Sequence, residues 1–298
     1  MAHHQTTRST IPAAPTPPVR RCKRAAFPYY GGKFVHLDFL LPLLPTRCRH
    51  FCEPFGGSAA VLLNRTPAPV ETYNDLDSDA VNFFACLRDH PRSLVHLLRR
   101  TPYSRQELEM ASGPDGDAAP LERARRFFIR AQQTFNALAQ TSRRSRWSFA
   151  VATSRRGMSG LVSKWQSSIE HLPALVERLR RVQFEHAPAL DVIRRYDSPD
   201  TLFYCDPPYP HESRRSLNTY AYEMSDRNHE ELADALHVAK GAVAISGYRC
   251  PLMDRLYGDW RRADAPPRRR NSSGGLRRES VWMNYEPSAK SNDQPAMA

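Results

Sequence analysis

At 298 residues, 41% hydrophobic and 25% charged, the chain can bury the core of one large α/β domain with a smaller insertion, and its composition excludes a wholly disordered or fibrous protein. Its six cysteines, Cys22, Cys48, Cys52, Cys86, Cys205 and Cys250, form no CxxC pair and no zinc-like spacing, so a reduced, metal-free protein is expected. No run is apolar enough to span a bilayer and no apolar segment precedes Phe27, which argues against a signal or an anchor and for a cytoplasmic location.

The net charge of +12 is gathered into three acid-free segments: residues 1–26, 141–169 and 266–278. The first, rich in proline, reads as a disordered basic tail over 1–25, and 288–298 reads as a second disordered tail. The other two lie inside folded regions. Arg143, Arg144 and Arg146 in one, and Arg268, Arg269, Arg270, Arg277 and Arg278 in the other, are candidate phosphate contacts, so a polyanionic partner is expected. Gly, Ser and Asn between Arg270 and Gly275 suit a loop that follows a phosphate backbone.

In chain order, Phe34, Leu37 and Leu41 have helical spacing before Pro42 and Pro45 interrupt them. A short strand at about 49–53 runs into Glu53-Pro54-Phe55-Gly56-Gly57-Ser58 and a helix from near Ala59. Pro69 to Asp75 reads as a second strand ending in an acid, followed by a helix through Phe84 and Leu87. From 101 to 182 the pattern is helical and basic. Leu121, Ala124, Phe128, Ala131, Phe135 and Leu138 share one face; Leu172, Leu175, Val176 and Leu179 share another. Strand patterns return at 201–205, 242–246 and around Val281-Trp282-Met283, with a helix at about 227–239. A βαβ pattern split by helices predicts a parallel sheet, with a domain made of 26–100 and 183–287 and a helical insert at 101–182.

Three segments carry chemistry. The apolar run Phe203-Tyr204-Cys205 stops at Asp206-Pro207-Pro208-Tyr209, so the acid and the aromatic fall at a strand's carboxyl end, where open α/β sheets bind ligands. The prolines fix φ and lack N–H groups, leaving carbonyls free to accept hydrogen bonds. An acid, a carbonyl and a flat ring suit a planar group bearing an exocyclic amine, which would donate to Asp206 and the Pro207 carbonyl while Tyr209 stacks on it. Alone, the tetrapeptide also reads as a strand terminus with Asp206 capping a turn. Gly56 and Gly57 let a ligand approach a helix start, and Asp75, 22 residues after Glu53, has the spacing of an acid that accepts from a ribose diol. Alone, that pair also reads as ordinary loop chemistry. Tyr29 and Lys33, in Pro28-Tyr29-Tyr30-Gly31-Gly32-Lys33, add a ring suited to adenine and a cation suited to a carboxylate. No histidine, among them His36, His96, His186, His211 and His237, has the spacing of a catalytic dyad.

The series Phe27 to Lys33, Phe51 to Ser58, Tyr73-Asn74-Asp75 and Asp206-Pro207-Pro208-Tyr209 resembles, in content and order, the Dam-type DNA adenine-N6 methyltransferases over about residues 26–286. The resemblance implies a Rossmann-like S-adenosylmethionine-dependent methyltransferase sheet with an inserted helical target-recognition domain. It implies S-adenosylmethionine held by Tyr29, Lys33, Glu53, Gly56, Gly57, Asp75 and Asp206, and a flipped adenine of double-stranded DNA received by Asp206, Pro207 and Tyr209. Tyr29 stands where related enzymes often have tryptophan, and Glu185 to Leu190 lacks a clear acid of the kind that family members often use near the cofactor's adenine. The expected activity is methyl transfer to adenine N6 at a short specific site, in a phage or restriction-modification setting, without metal. Methyl transfer to RNA adenine or to cytosine N4, and a silent DNA-binding module, are the alternatives. Recognition sequence and oligomeric state are not legible.

Overall fold

The computed structural model describes residues 24–135, 146–214, 221–269 and 276–287. Seven strands form one sheet: β1 (His50–Glu53), β2 (Val70–Asn74), β3 (Gln183–Glu185), β4 (Thr201–Cys205), β5 (Ala242–Tyr248), β6 (Arg261–Asp264) and β7 (Glu279–Met283). Their spatial order is β3-β2-β1-β4-β5-β7-β6. The first five are mutually parallel, as the sequence pattern predicts. The exception is β7, which runs antiparallel to both neighbours. It follows β6 with no helix between them among the described residues, and strands joined without a crossover helix pair antiparallel.

Strand β4 is buried at every residue, as a parallel strand covered on both faces must be. The order reverses between β1 and β4, so their carboxyl ends diverge and leave a crevice. The helix Ser78–Asp89 after β2 is capped by Asp77, whose side chain accepts from the N–H groups of Asp79 and Ala80. Among the described residues no helix is long and apolar enough to cross a membrane.

The segment 101–182 contributes the helices Arg105–Ala111, Pro120–Gln133, Gly160–His171 and Pro173–Leu179. They share a core with the sheet. Phe127 meets Phe27 edge-on at 4.9 Å, and Phe128 stacks on Phe83 at 5.5 Å. Arg178 reaches β2, where its guanidinium pairs with buried Glu71 (Nη2–Oε1 2.6 Å) and donates to the Leu62 carbonyl (2.8 Å). Glu71 also accepts from the Ala68 N–H (3.1 Å) and lies 3.7 Å from Arg65, whereas Arg178 has no other carboxylate partner among the described residues, so removing Glu71 would leave a buried cation unpaired.

Two elements differ from expectation. Residues 33–43 form a short α-turn, Leu37–Leu40, between 3-10 turns at Lys33–His36 and Leu41–Leu43, because Pro42 cannot continue an α-helix. The face running from Leu121 ends early. Thr134 leaves the helix to pair with Trp147, and the Phe135 N–H donates to the Arg146 carbonyl (3.0 Å), so Phe135 is exposed. Leu138 lies outside the described residues.

Candidate active site

A cavity of about 310 Å³ occupies the crevice at the β1–β4 carboxyl ends. It gathers Tyr29 and Lys33 from before the sheet, Glu53 at the end of β1, Gly56 and Gly57 from the loop that follows, Asp75 after β2, and Asp206 and Pro207 after β4. Tyr209 does not line it; its ring is buried behind.

The Gly56-Gly57 turn is tightly fitted. A Cβ on Gly56 would lie 2.2 Å from the Tyr73 ring, and Gly57 has φ +50° with its Cβ direction 2.9 Å from Tyr29. The Gly57 N–H donates to Asp75 Oδ2 (2.7 Å), and the Tyr73 hydroxyl donates to the Gly57 carbonyl (2.7 Å). Asp75 Oδ1 accepts from the Asp77 N–H (2.8 Å), so this carboxylate shapes the loop. Asn74 does the same for the facing wall. Its amide donates to the carbonyls of Pro54 (2.8 Å) and Ala187 (3.0 Å) and accepts from the Ala187 N–H (2.9 Å).

Glu53 is buried, with Oε1 accepting from the Leu62 N–H (3.3 Å) and Oε2 without a partner among the described residues. Burial pushes its carboxyl well above the usual range, and the nearby Asp206 adds to the rise. A cationic ligand group would restore the missing partner.

The other half of the site is a closed set of charges. Lys33, only 4% exposed, has Nζ 2.5 Å from Asp206 Oδ1 and 3.5 Å from Glu279 Oε1, and it donates to the Gly31 carbonyl (3.0 Å). The same ammonium lies 4.9 Å from the Tyr209 ring centre. The Tyr209 hydroxyl donates to Glu279 Oε1, and its ring meets Tyr248 edge-on at 4.8 Å. Burial pushes Asp206 up to about 6; Lys33 opposes the rise and the like charge of Glu279 reinforces it. Burial alone would lower the Lys33 ammonium, but Asp206 and Glu279 outweigh it and raise its pKa.

Of the candidate phosphate contacts, Arg146 and Arg278 are exposed. Arg268–Arg269 pairs antiparallel with Leu276–Arg277 in a ribbon that leads into Glu279. Arg143, Arg144 and Arg270 lie outside the described residues. Sequence reasoning missed Glu279 and Asn74. Asn74 is adjacent to Asp75, and Glu279 is a lone acid between arginines and an apolar strand, so each carried a weak signal.

A doubly wound sheet with a cavity at its switch point, lined on one side by Asp206 and Pro207, is the architecture of a Rossmann-like, ligand-binding α/β protein and is consistent with a methyltransferase. The sequence profile of the D12 class N6 adenine-specific DNA methyltransferases matches residues 29–265, and the chain belongs to that family. It is 27% identical to a type II methyltransferase of Lactococcus lactis subsp. cremoris, over 86% of this chain and 93% of that protein. It is 25% identical to a DNA adenine methylase of Vibrio cholerae, over 79% of this chain and 85% of that one. A DNA N-6-adenine-methyltransferase of Escherichia phage P1 is 26% identical over 81% of this chain but only 32% of its own length.

Family membership makes the chain an adenine-specific DNA methyltransferase with S-adenosylmethionine as methyl donor. The cavity fits that donor. Gly56 and Gly57 let Tyr73 and Tyr29 pack against a turn that lines the cavity, Asp75 lines it beside them, and the Glu53 oxygen without a partner among the described residues suits an ammonium group. Among the described residues no group of three His, Cys, Asp or Glu side chains could hold a metal ion.

Proposed function

We propose that the protein methylates N6 of an adenine flipped out of double-stranded DNA at a short specific sequence, with Asp206 and the Pro207 carbonyl receiving the amine. The observation that carries this reading is Asp206 at the cavity wall, beside Pro207 and paired through one oxygen with buried Lys33. S-adenosylmethionine supplies an electrophilic methyl group on positively charged sulfur. Tyr29, Glu53, Gly56, Gly57 and Asp75 hold that donor: Asp75 accepts from the ribose, Glu53 takes the ammonium, and Tyr29 offers a ring face.

The amine of adenine is a poor nucleophile because its lone pair is delocalised into the ring. Hydrogen bonds from the amine to Asp206 and the Pro207 carbonyl favour a localised lone pair. When N6 gains its fourth substituent it becomes cationic and acidic, and the Asp206 carboxylate stabilises that charge and then takes the proton. Lys33 keeps Asp206 ionised near neutrality. Tyr209, fixed by Glu279 and Tyr248, backs the base pocket. Arg146, Arg268, Arg269, Arg277 and Arg278, together with Arg143, Arg144 and Arg270, meet phosphates, and the helices of 101–182 carry target recognition.

The test is incubation of a mixed-sequence DNA duplex, and in parallel an RNA of the same sequence, with the protein and S-adenosylmethionine, followed by single-molecule sequencing. N6-methyladenine in one recurring context supports the reading. Methyl groups on cytosine, on RNA adenine alone, or on neither would reject it.

A further inference from the structure

Glu279 lies on the strand farthest in sequence from the family's recognised motifs, yet it touches both groups that flank Asp206. It is 3% exposed, accepts from the Tyr209 hydroxyl and stands 3.5 Å from Lys33 Nζ. It reaches that place because β7 inserts antiparallel beside β5, with Glu279 opposite Tyr248. A buried carboxylate that only capped a tyrosine would have no need of a lysine, and a lysine that only neutralised Asp206 would have no need of a second acid. Together the four side chains form one circuit in which Lys33 is shared between two carboxylates and Tyr209 is tied to the second.

We infer that Glu279 is a positioning residue for methyl transfer: it shares Lys33 with Asp206 and holds Tyr209, and so sets the lysine and the acid around the incoming amine. Without Glu279, Lys33 would belong to Asp206 alone and make it a weaker acceptor. This rests on the reading of Asp206 as the amine's partner. The groups facing Asp206 are Lys33, Glu279 and Tyr209, with Tyr204 and Glu53 nearby, and Tyr248 faces Lys33 from β5. Of these, Glu279 raises the Asp206 pKa, and Lys33 and Tyr209 lower it.

The experiment compares single-turnover methylation of a duplex across pH for the wild type, Glu279→Gln and Asp206→Ala, with S-adenosylmethionine affinity measured in parallel. Glu279→Gln keeps an acceptor for Tyr209 and removes the charge. The rate is expected to fall about 10- to 100-fold, the range typical of residues that support a reacting group, with cofactor affinity kept. The acid limb of the profile is expected to move to lower pH, since the charge that raises Asp206 is gone. A merely structural role would not move that limb. An unchanged rate and limb in Glu279→Gln, with Asp206→Ala inactive, would overturn the role of Glu279 alone. An active Asp206→Ala would overturn the reading beneath it. If Glu279→Gln fails to fold, Tyr209→Phe probes the same circuit: a slowed rate with cofactor affinity kept supports it, and a wild-type rate overturns it.

Discussion

Lys33 and Asp206 meet with Nζ 2.5 Å from Oδ1, joining the turn ahead of β1 to the loop after β4. The contact couples a glycine-rich motif to the Asp-Pro-Pro-Tyr motif and commits the lysine to a protein carboxylate. A cation suited to a ligand's carboxylate is what the sequence suggests; what the fold adds is a second and a third partner, Asp206 and Glu279.

The first prediction follows from that pair. Asp206 must be ionised to accept from the amine, and its carboxyl is pushed up to about 6 by burial, with Lys33 opposing. The single-turnover rate should therefore be flat above that pH and fall as pH drops through about 6. Lys33→Met removes the opposing cation, so the limb should move to higher pH. Stopped-time methylation assays across pH check both, and a limb unmoved in Lys33→Met would disconnect the lysine from the acid.

Tyr209→Phe should not be silent, although stacking alone would predict that it is. The hydroxyl donates to buried Glu279, and losing a hydrogen bond to a charged group costs about 1.5 to 3 kcal/mol. Urea unfolding should show the loss, and Tyr209→Ala should lose more. Equal stability of Tyr209→Phe and wild type would mean that the hydroxyl contributes nothing.

Gly56→Ala should weaken S-adenosylmethionine binding and destabilise the fold, because its Cβ would sit 2.2 Å from the Tyr73 ring. Overpacking of this kind typically costs about 1 to 3 kcal/mol. Titration calorimetry and thermal unfolding read the two effects, and wild-type values for both would show that the turn has slack.

Asp75→Ala should weaken the cofactor by about 1.5 to 3 kcal/mol, through loss of a charge-assisted bond to the ribose and of the Gly57 anchor. Calorimetry giving wild-type affinity would remove Asp75 from the cofactor site.

Much of the fold was legible because its centre is apolar and its loops are chemically marked. Strand β4 is a buried run ended by prolines, and the Asp77-capped helix after β2 follows a clear apolar pattern. Strands β3 and β6 were not, since Gln183–Glu185 and Arg261–Asp264 are short, polar and at the sheet edges, where burial imposes no pattern. Asp206, Gly56 and Asp75 could be placed at the cavity from the local sequence because each lies within a few residues of the carboxyl end of its own strand. Glu279 could not, because its place beside Lys33 and Tyr209 depends on the antiparallel insertion of β7, a long-range pairing with no local signature.

The ribbon ahead of Glu279 is predicted to meet the DNA backbone. Replacing Arg268, Arg269, Arg277 and Arg278 by Gln should weaken binding on all sequences and reduce the slope of log affinity against log salt by about 0.9 for each phosphate no longer neutralised. Fluorescence anisotropy at several salt concentrations measures the slope, and an unchanged slope would leave these arginines as solvated surface.

The most direct test of the account is the single-turnover rate of Asp206→Ala on a duplex with saturating S-adenosylmethionine, at a pH above the wild-type acid limb. Loss of a preorganised partner for the developing charge predicts a fall of about 100-fold or more with the protein folded. A rate close to that of the wild type would contradict the account and place the reacting amine elsewhere.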